Sequence, residues 1–185
     1  MGRTRTQLGM LLTLAAVSGP STARATVLQP ASLADLAREA GAIVRGRVVA
    51  TDARLTPDRR AIDTLVTLEA EETLKGSLGA TVQFVVPGGV LGRYRSLFVG
   101  APAFEIGQRV VVFLGWQGPS YPFLIGLSQG VFRVQPDATG QWRVTPPPIQ
   151  APPAGAVAIV RGDPARRPVP LAAFEQQLRA LVERR

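Results

Sequence analysis

The motif with the clearest catalytic potential is Gly126-Leu127-Ser128-Gln129-Gly130, which matches the G-x-S-x-G pattern of a nucleophile elbow. A serine nucleophile in that setting needs a histidine base and a strand that leads into a helix. The chain has no histidine, and a strand-like run follows the motif. A serine–lysine pair would depend on Lys75, the only lysine, which lies in a Leu-Lys-Gly turn beside Ser77. We therefore interpret residues 126–130 as a glycine-flanked hairpin turn.

Three acidic residues, Glu69, Glu71 and Glu72, could supply the paired carboxylates of a glycoside hydrolase. The period of two along a strand places Glu69 and Glu71 on the same face. Arg45 and Arg47 have the same spacing on the preceding predicted strand. Cross-strand ion pairs are therefore the simpler interpretation of these charges.

Metal and cofactor chemistry has little support in the composition. The chain has no cysteine and no histidine, so it lacks thiolate and imidazole ligands. Asp52, Asp58 and Asp63 are interleaved with arginines and lack the D-x-D-x-D-G spacing of a calcium loop. The Pro87-Gly88-Gly89 segment lacks the Gly-Lys-Ser/Thr of a phosphate loop. We predict no metal and no cofactor.

Arginine supplies almost all of the positive charge, and the formal net charge is +8. Basic side chains with interleaved aromatic rings are typical of proteins that bind single-stranded nucleic acid. The candidate rings are Tyr94, Phe98, Phe104, Trp116, Tyr121 and Trp142. The arginines are, however, spread along the chain instead of forming one cluster. We predict no nucleic-acid partner.

The N-terminus has the pattern of a secretory signal peptide over residues 1–25. Arg3 and Arg5 precede an apolar run from Leu8 to Val17, and Ala23-Arg24-Ala25 fits the small-x-small cleavage site. Cleavage after Ala25 removes three arginines and no acid, which lowers the charge from +8 to 8 − 3 = +5. We predict a secreted or periplasmic protein with no membrane span after cleavage, because the apolar run is too short for a bilayer core of about 30 Å.

Short β-type runs separated by Gly/Pro turns dominate the remaining chain. They favour a mainly β fold, a small OB-like β-barrel with a short N-terminal helix and a C-terminal amphipathic helix. The barrel domain is predicted over 26–145, and 146–185 is predicted to pack on the same domain as a Pro-rich strap, an edge strand and the final helix. The predicted helices are 33–40 and 171–185, and the predicted strands are 42–50, 62–74, 81–86, 94–99, 109–114, 121–127, 131–135, 141–145 and 157–160.

The segment 87–107 is a long loop rich in glycine and proline. Long loops inside compact domains are uncommon and are often functional. We expect this loop to be displayed for binding, since glycines at its start permit a tight turn with positive φ. The candidate partner-binding residues are Pro87, Gly88, Gly89, Arg93, Arg95, Pro102 and Phe104.

Several short motifs occur in a fixed order. They are Ala42-Ile43-Val44-Arg45-Gly46-Arg47-Val48, Thr64, Leu74-Lys75-Gly76, Pro87-Gly88-Gly89, Gly100-Ala101-Pro102-Ala103-Phe104 with Gly107, Val110–Leu114 and Gln129-Gly130-Val131-Phe132. Over about residues 32–135 this series resembles a group of uncharacterised exported bacterial proteins. More distantly, the strand order is similar to the netrin-like modules of metalloproteinase inhibitors. That resemblance implies an OB barrel. The resemblance does not extend to zinc-directed inhibition. Those inhibitors use an N-terminal cysteine and disulfides, whereas this chain has no cysteine.

These observations lead to one expected function and one alternative. We expect an exported, non-enzymatic β-barrel module that binds a protein or envelope partner. Its concrete form would be an accessory or an inhibitor of a secreted protease. The alternative is a carboxylate-dependent hydrolase that acts on glycan or cell wall, for which Glu69 and Glu71 are the first candidates.

Overall fold

The computed structural model of the chain describes residues 31–118, 121–147 and 167–183. Over these residues the fold is mainly β with two helices, which confirms the predicted fold class at this level. The helices are α1 (Leu33–Glu39) and α2 (Leu171–Glu183). The strands are β1 (Ala42–Leu55), β2 (Ile62–Lys75), β3 (Thr81–Pro87), β4 (Gly89–Leu91), β5 (Tyr94–Ser96), β6 (Arg109–Gly115), β7 (Phe123–Leu124), β8 (Val131–Pro136), β9 (Trp142–Thr145) and β10 (Val169–Pro170).

β1, β2 and β3 form a meander in which both strand pairs are antiparallel. β6 pairs antiparallel with the other edge of β1, and β7 joins β6 to β3 through a short parallel contact at Val85 and Phe123. β8, β9 and β10 extend the sheet from β6, so the main sheet has eight strands in the described part of the chain. β4 and β5 form a separate hairpin.

The central strand β6 is covered on both faces, as its continuous apolar run predicts. Val111 and Phe113 belong to a core cluster beneath α1 and α2, whereas Val110, Val112 and Leu114 belong to a second cluster with β1, β2 and β3. Because successive side chains point to opposite faces, one strand serves both cores.

The helices cover the first of these cores. Phe174 and Leu178 of α2 are buried there, and the Phe174 ring lies 5.0 Å from that of Phe132. Arg45 on β1 also forms an ion pair of 2.7 Å with Glu175 of α2. The C-terminal helix is therefore part of the same packed body as the sheet.

Three local predictions need correction. β1 continues to Leu55 instead of ending at residue 50, because the polar segment pairs with β2 before the turn at 56–61. The strand predicted over 121–127 is reduced to Phe123–Leu124, and residues Leu127–Gly130 form a 3-10 helix instead of a hairpin turn. Gly126 and Leu127 both have positive φ (66° and 53°), which ends the extended run.

Some predictions lie outside the described residues. These are the signal peptide over 1–25, most of the strap over 146–153, the edge strand over 157–160 and the end of the last helix at 184–185. Within the described ranges, neither helix is long and apolar enough to cross a membrane.

Candidate functional site

A cleft of about 530 Å³ lies between the far half of β1 and the 87–107 loop. Three strand residues also line it, Thr51 and Ala53 of β1 and Thr64 of β2, and none of them is among the predicted site residues. Of the seven predicted site residues, six line this cleft: Pro87, Gly88, Gly89, Arg95, Pro102 and Phe104. The seventh, Arg93, lies at the tip of the β4–β5 hairpin and is not part of the lining.

Two consecutive glycines turn the chain from β3 into the loop. Gly88 and Gly89 have φ values of 95° and 151°, a region in which side chains are strongly disfavoured. A Cβ at Gly89 would lie 2.6 Å from the Thr64 hydroxyl oxygen. That hydroxyl donates a 2.7 Å hydrogen bond to the Gly88 carbonyl, and the Gly88 N–H donates to the Ile62 carbonyl at 2.8 Å. The glycines thus allow the loop to cross β2 at close range.

The β4–β5 hairpin carries positive charge to the edge of the cleft. Arg93 lies over the Tyr94 ring, with its guanidinium carbon 5.1 Å from the ring centroid. Arg95 is exposed and, among the described residues, has no ion pair. Of the described residues that line the cleft, Arg95 is the only charged one. The site therefore presents one cation without an ion pair among a mixture of polar and apolar lining residues.

The most unusual feature of the site is an exposed apolar run immediately after β5. Leu97, Phe98 and Val99 are 78%, 53% and 80% exposed, and Leu97 and Phe98 line the cleft. The sequence predicts a strand as far as Val99, but β5 ends at Ser96. Three consecutive large apolar residues without alternation, inside a Gly/Pro-rich loop, were the signal that sequence reasoning missed.

Phe104 anchors the loop to the second core. Its ring meets Phe84 edge to face with 5.4 Å between centroids, and Phe84 is completely buried. Phe104 packs against the second core cluster as a partly buried side chain. Pro102, two residues earlier, lines this cleft on one side and a second cleft of about 460 Å³ on the other. Phe104 therefore holds the loop in place, whereas Leu97–Val99 face solvent.

The glutamates proposed as a hydrolase pair are held in ion pairs. Glu69 accepts from Arg47 at 2.6 Å, and Glu71 accepts from Arg109 at 2.7 Å and also from Arg45. The predicted cross-strand pairing is thus confirmed. These carboxylates lie on the outer face of the β1–β2 pair, away from the 530 Å³ cleft.

Lys75 and the 126–130 motif, the candidates for serine chemistry, are both held by contacts within the fold. The Lys75 amine donates to the carbonyls of Ala37 (2.6 Å) and Ala40, at the C-terminal end of α1. In the 126–130 motif, a Cβ at Gly130 would lie 2.0 Å from the Ile125 carbonyl oxygen, so that glycine is required by packing. Lys75 is thus positioned to stabilise a helix end, since cations interact favourably with its carbonyls.

The aspartates considered for calcium do not converge. Within the ranges that the structure describes, no three side chains of the metal-ligating types come together. Thr56 donates to Asp58 at 2.6 Å, and this hydrogen bond lowers the pKa of the Asp58 carboxyl. Partial burial instead raises the pKa of Asp63. Asp58 and Asp63 therefore lie in different local environments at the β1–β2 hairpin and do not share one site.

The chain matches no protein-family model, and no curated protein or solved structure is found to be similar to it.

Proposed function

We propose that the protein is an exported, non-enzymatic module that binds a protein partner of the cell envelope or the medium through the 530 Å³ cleft and its rim. The observation that carries the proposal is the exposed run Leu97–Val99 beside that cleft. Contiguous apolar surface rimmed by polar groups marks interaction sites, because exposing it to water in the free protein is unfavourable.

An OB-like barrel is the scaffold that we propose for this site. A ring of strand pairings supports this barrel: β1–β2, β2–β3, β3–β7, β7–β6 and β6–β1. The β3–β7 contact is a single parallel residue pair, so the barrel would be partly open at that seam. In such a scaffold the 87–107 loop would lie across one mouth of the barrel.

A binding role, and not catalysis, is supported by the surroundings of the reactive side chains. Lys75 donates to helix carbonyls, and Glu69 and Glu71 accept from arginines. A glycan or cell-wall hydrolase would therefore need carboxylates other than Glu69 and Glu71. Inhibition or assistance of a secreted protease remains the concrete form of the proposal, and it depends on the distant similarity to netrin-like modules.

Capture of partners from the periplasm and culture medium of the native host tests the proposal. The decisive variant is Leu97→Asp, which places a charge in the exposed apolar run. Its matched control is Ser77→Asp, which adds the same charge at an exposed turn at the opposite end of β2. We expect wild type and Ser77→Asp to retain a common partner and Leu97→Asp to lose it. Equal capture by all three proteins would contradict the proposed site.

Export is tested separately by N-terminal sequencing of protein recovered from the periplasm or medium. We expect the mature chain to begin at Thr26. Recovered protein that begins at Met1 would contradict the predicted cleavage.

A further inference from the structure

Among the residues that the structure describes, one edge of β1 is paired over only about half of its length. β6 pairs with β1 from Ala42 to Arg47, and Val48 still exchanges hydrogen bonds with Gly107 and Gln108. Before Gly107, no described residue of the segment that leads into β6 shares a backbone hydrogen bond with β1. In the described part of the chain, no strand pairs with this edge between Thr51 and Leu55.

The hydrogen-bonding pattern identifies the groups on the free edge. The Thr56 N–H donates to the Ala61 carbonyl at 2.9 Å, across the turn that joins β1 to β2. In an antiparallel pair, hydrogen-bonded and non-hydrogen-bonded residue pairs alternate. Thr56 and Ala61 are a hydrogen-bonded pair, so Ala53 and Thr64, three positions along the same register, are a non-hydrogen-bonded pair. The N–H and carbonyl groups of Thr51, Ala53 and Leu55 therefore point away from β2. These groups form the hydrogen-bonding face of an available strand edge.

The free edge borders the binding cleft. Thr51 and Ala53 line it, with Leu97, Phe98 and Pro102 among the residues of its loop side. Five residues of a strand span about 13 Å between the first and last Cα. A cleft of about 530 Å³ beside an edge of that length suits a short extended peptide better than a folded domain.

The charge and polarity of the cleft indicate what that peptide would contain. Arg95 is the only charged residue among the described lining residues, and Arg93 lies nearby on the same hairpin. Acidic side chains on the peptide would complement these cations. Apolar side chains on its alternate positions would cover Leu97 and Phe98, because side chains of an extended strand alternate between two faces.

We propose that the cleft binds an extended peptide that alternates acidic and apolar residues, and that this peptide adds to the sheet as a strand along Thr51–Leu55. The inference rests on the proposed binding function and specifies its partner class. Main-chain hydrogen bonds to the strand edge would give affinity. The two hairpin arginines, Arg93 and Arg95, and the apolar side chains of Leu97 and Phe98 would give sequence preference.

Amide hydrogen exchange of the free protein gives the first test. The N–H groups of Asp52 and Arg54 bond to β2 and should exchange slowly, whereas those of Thr51, Ala53 and Leu55 should exchange fast. Slow exchange of the second set in dilute protein would overturn the proposal, because another part of the chain would already cover the edge. Protection that grows with protein concentration would also overturn it, in favour of a second copy of the chain.

The second test uses a phage-displayed library of random dodecapeptides as the probe. We expect enrichment of alternating acidic and apolar sequences, and binding of a selected peptide should protect the amides of Thr51, Ala53 and Leu55. No enrichment, or protection elsewhere without protection of this edge, would overturn the proposal. N-methylation of alternate peptide nitrogens should weaken binding about tenfold or more, since it removes main-chain donors.

The protein-side variant is Ala53→Pro, which removes one outward N–H at an edge position where proline is tolerated. Ala53→Ser is its matched control, since it keeps the N–H and a small side chain. We expect about tenfold weaker peptide binding for the first and a change within about twofold for the second. Unchanged binding by Ala53→Pro, or an N-methylated peptide that binds as well as its parent, would overturn the strand addition. A native partner lost by Leu97→Asp but kept by Ala53→Pro would leave the proposed function intact and reject only this inference.

Discussion

Replacement of Phe104 by alanine separates the two roles that the structure assigns to the 87–107 loop. The Phe104 ring packs edge to face on the completely buried Phe84, with 5.4 Å between the centroids. Truncation of a fully buried phenylalanine costs about 3–5 kcal/mol. Because Phe104 is only partly buried, we expect Phe104→Ala to lower the free energy of unfolding by about 2–3 kcal/mol.

The comparison variant is Leu97→Asp in the same loop. Leu97 is 78% exposed, so its replacement should change the free energy of unfolding by about 0.5 kcal/mol or less. We therefore expect different effects from the two variants. Phe104→Ala should lower the stability of the fold, whereas Leu97→Asp should abolish partner binding and leave the stability nearly unchanged.

Urea unfolding followed by circular dichroism measures the difference. With a slope of about 2 kcal/mol per molar urea, a loss of 2–3 kcal/mol moves the midpoint down by roughly 1–1.5 M. A midpoint for Phe104→Ala within about 0.3 M of wild type would refute the anchoring role. A large shift of the urea midpoint for Leu97→Asp would refute the inference that the Leu97 side chain is exposed and contributes little to stability.

Three further predictions concern the scaffold. Lys75→Met removes the amine that donates to carbonyls at the C-terminal end of α1, so we expect the free energy of unfolding in urea to fall by about 2–3 kcal/mol. An unchanged urea midpoint would contradict the capping role. Gly46→Ala would place a Cβ 2.5 Å from the Glu69 carbonyl oxygen, so it should lower the free energy of unfolding by about 1–3 kcal/mol in thermal or urea unfolding. Gly79→Ala should lower it clearly less, because a Cβ there would lie 4.0 Å from its nearest neighbour, the Thr81 carbonyl oxygen. Hydrogen bonds from Arg143 and Thr139 lower the pKa of Asp137 far below its usual range, so its contribution to stability is full above about pH 4 and is lost as the pH falls toward the folded pKa. The stability gap between wild type and Asp137→Asn in urea should therefore narrow as the pH is lowered from about 5 to about 2, and a constant gap would refute this linkage.

Sequence alone determined the features that depend on local periodicity. Alternation along β2 placed Val66 and Leu68 in the core and Glu69 on the outer face, where it meets Arg47 as predicted. The capping box between Ser32 and Asp35 at the start of α1 is equally local, because its hydrogen bonds join residues three positions apart. In each case the physical cause lies within one element or between neighbouring strands.

Only the tertiary structure decided which loop residues are buried and which face solvent. Phe98 and Phe104 have the same chemistry and lie in one Gly/Pro-rich segment, yet Phe104 contacts Phe84 whereas Phe98 is 53% exposed. Lys75 likewise finds its acceptors 38 and 35 residues earlier in the chain. The free edge of β1 depends on where β6 stops pairing with it, at Arg47. Contacts between residues distant in sequence leave no local periodic pattern, and the packing of the whole sheet selects them.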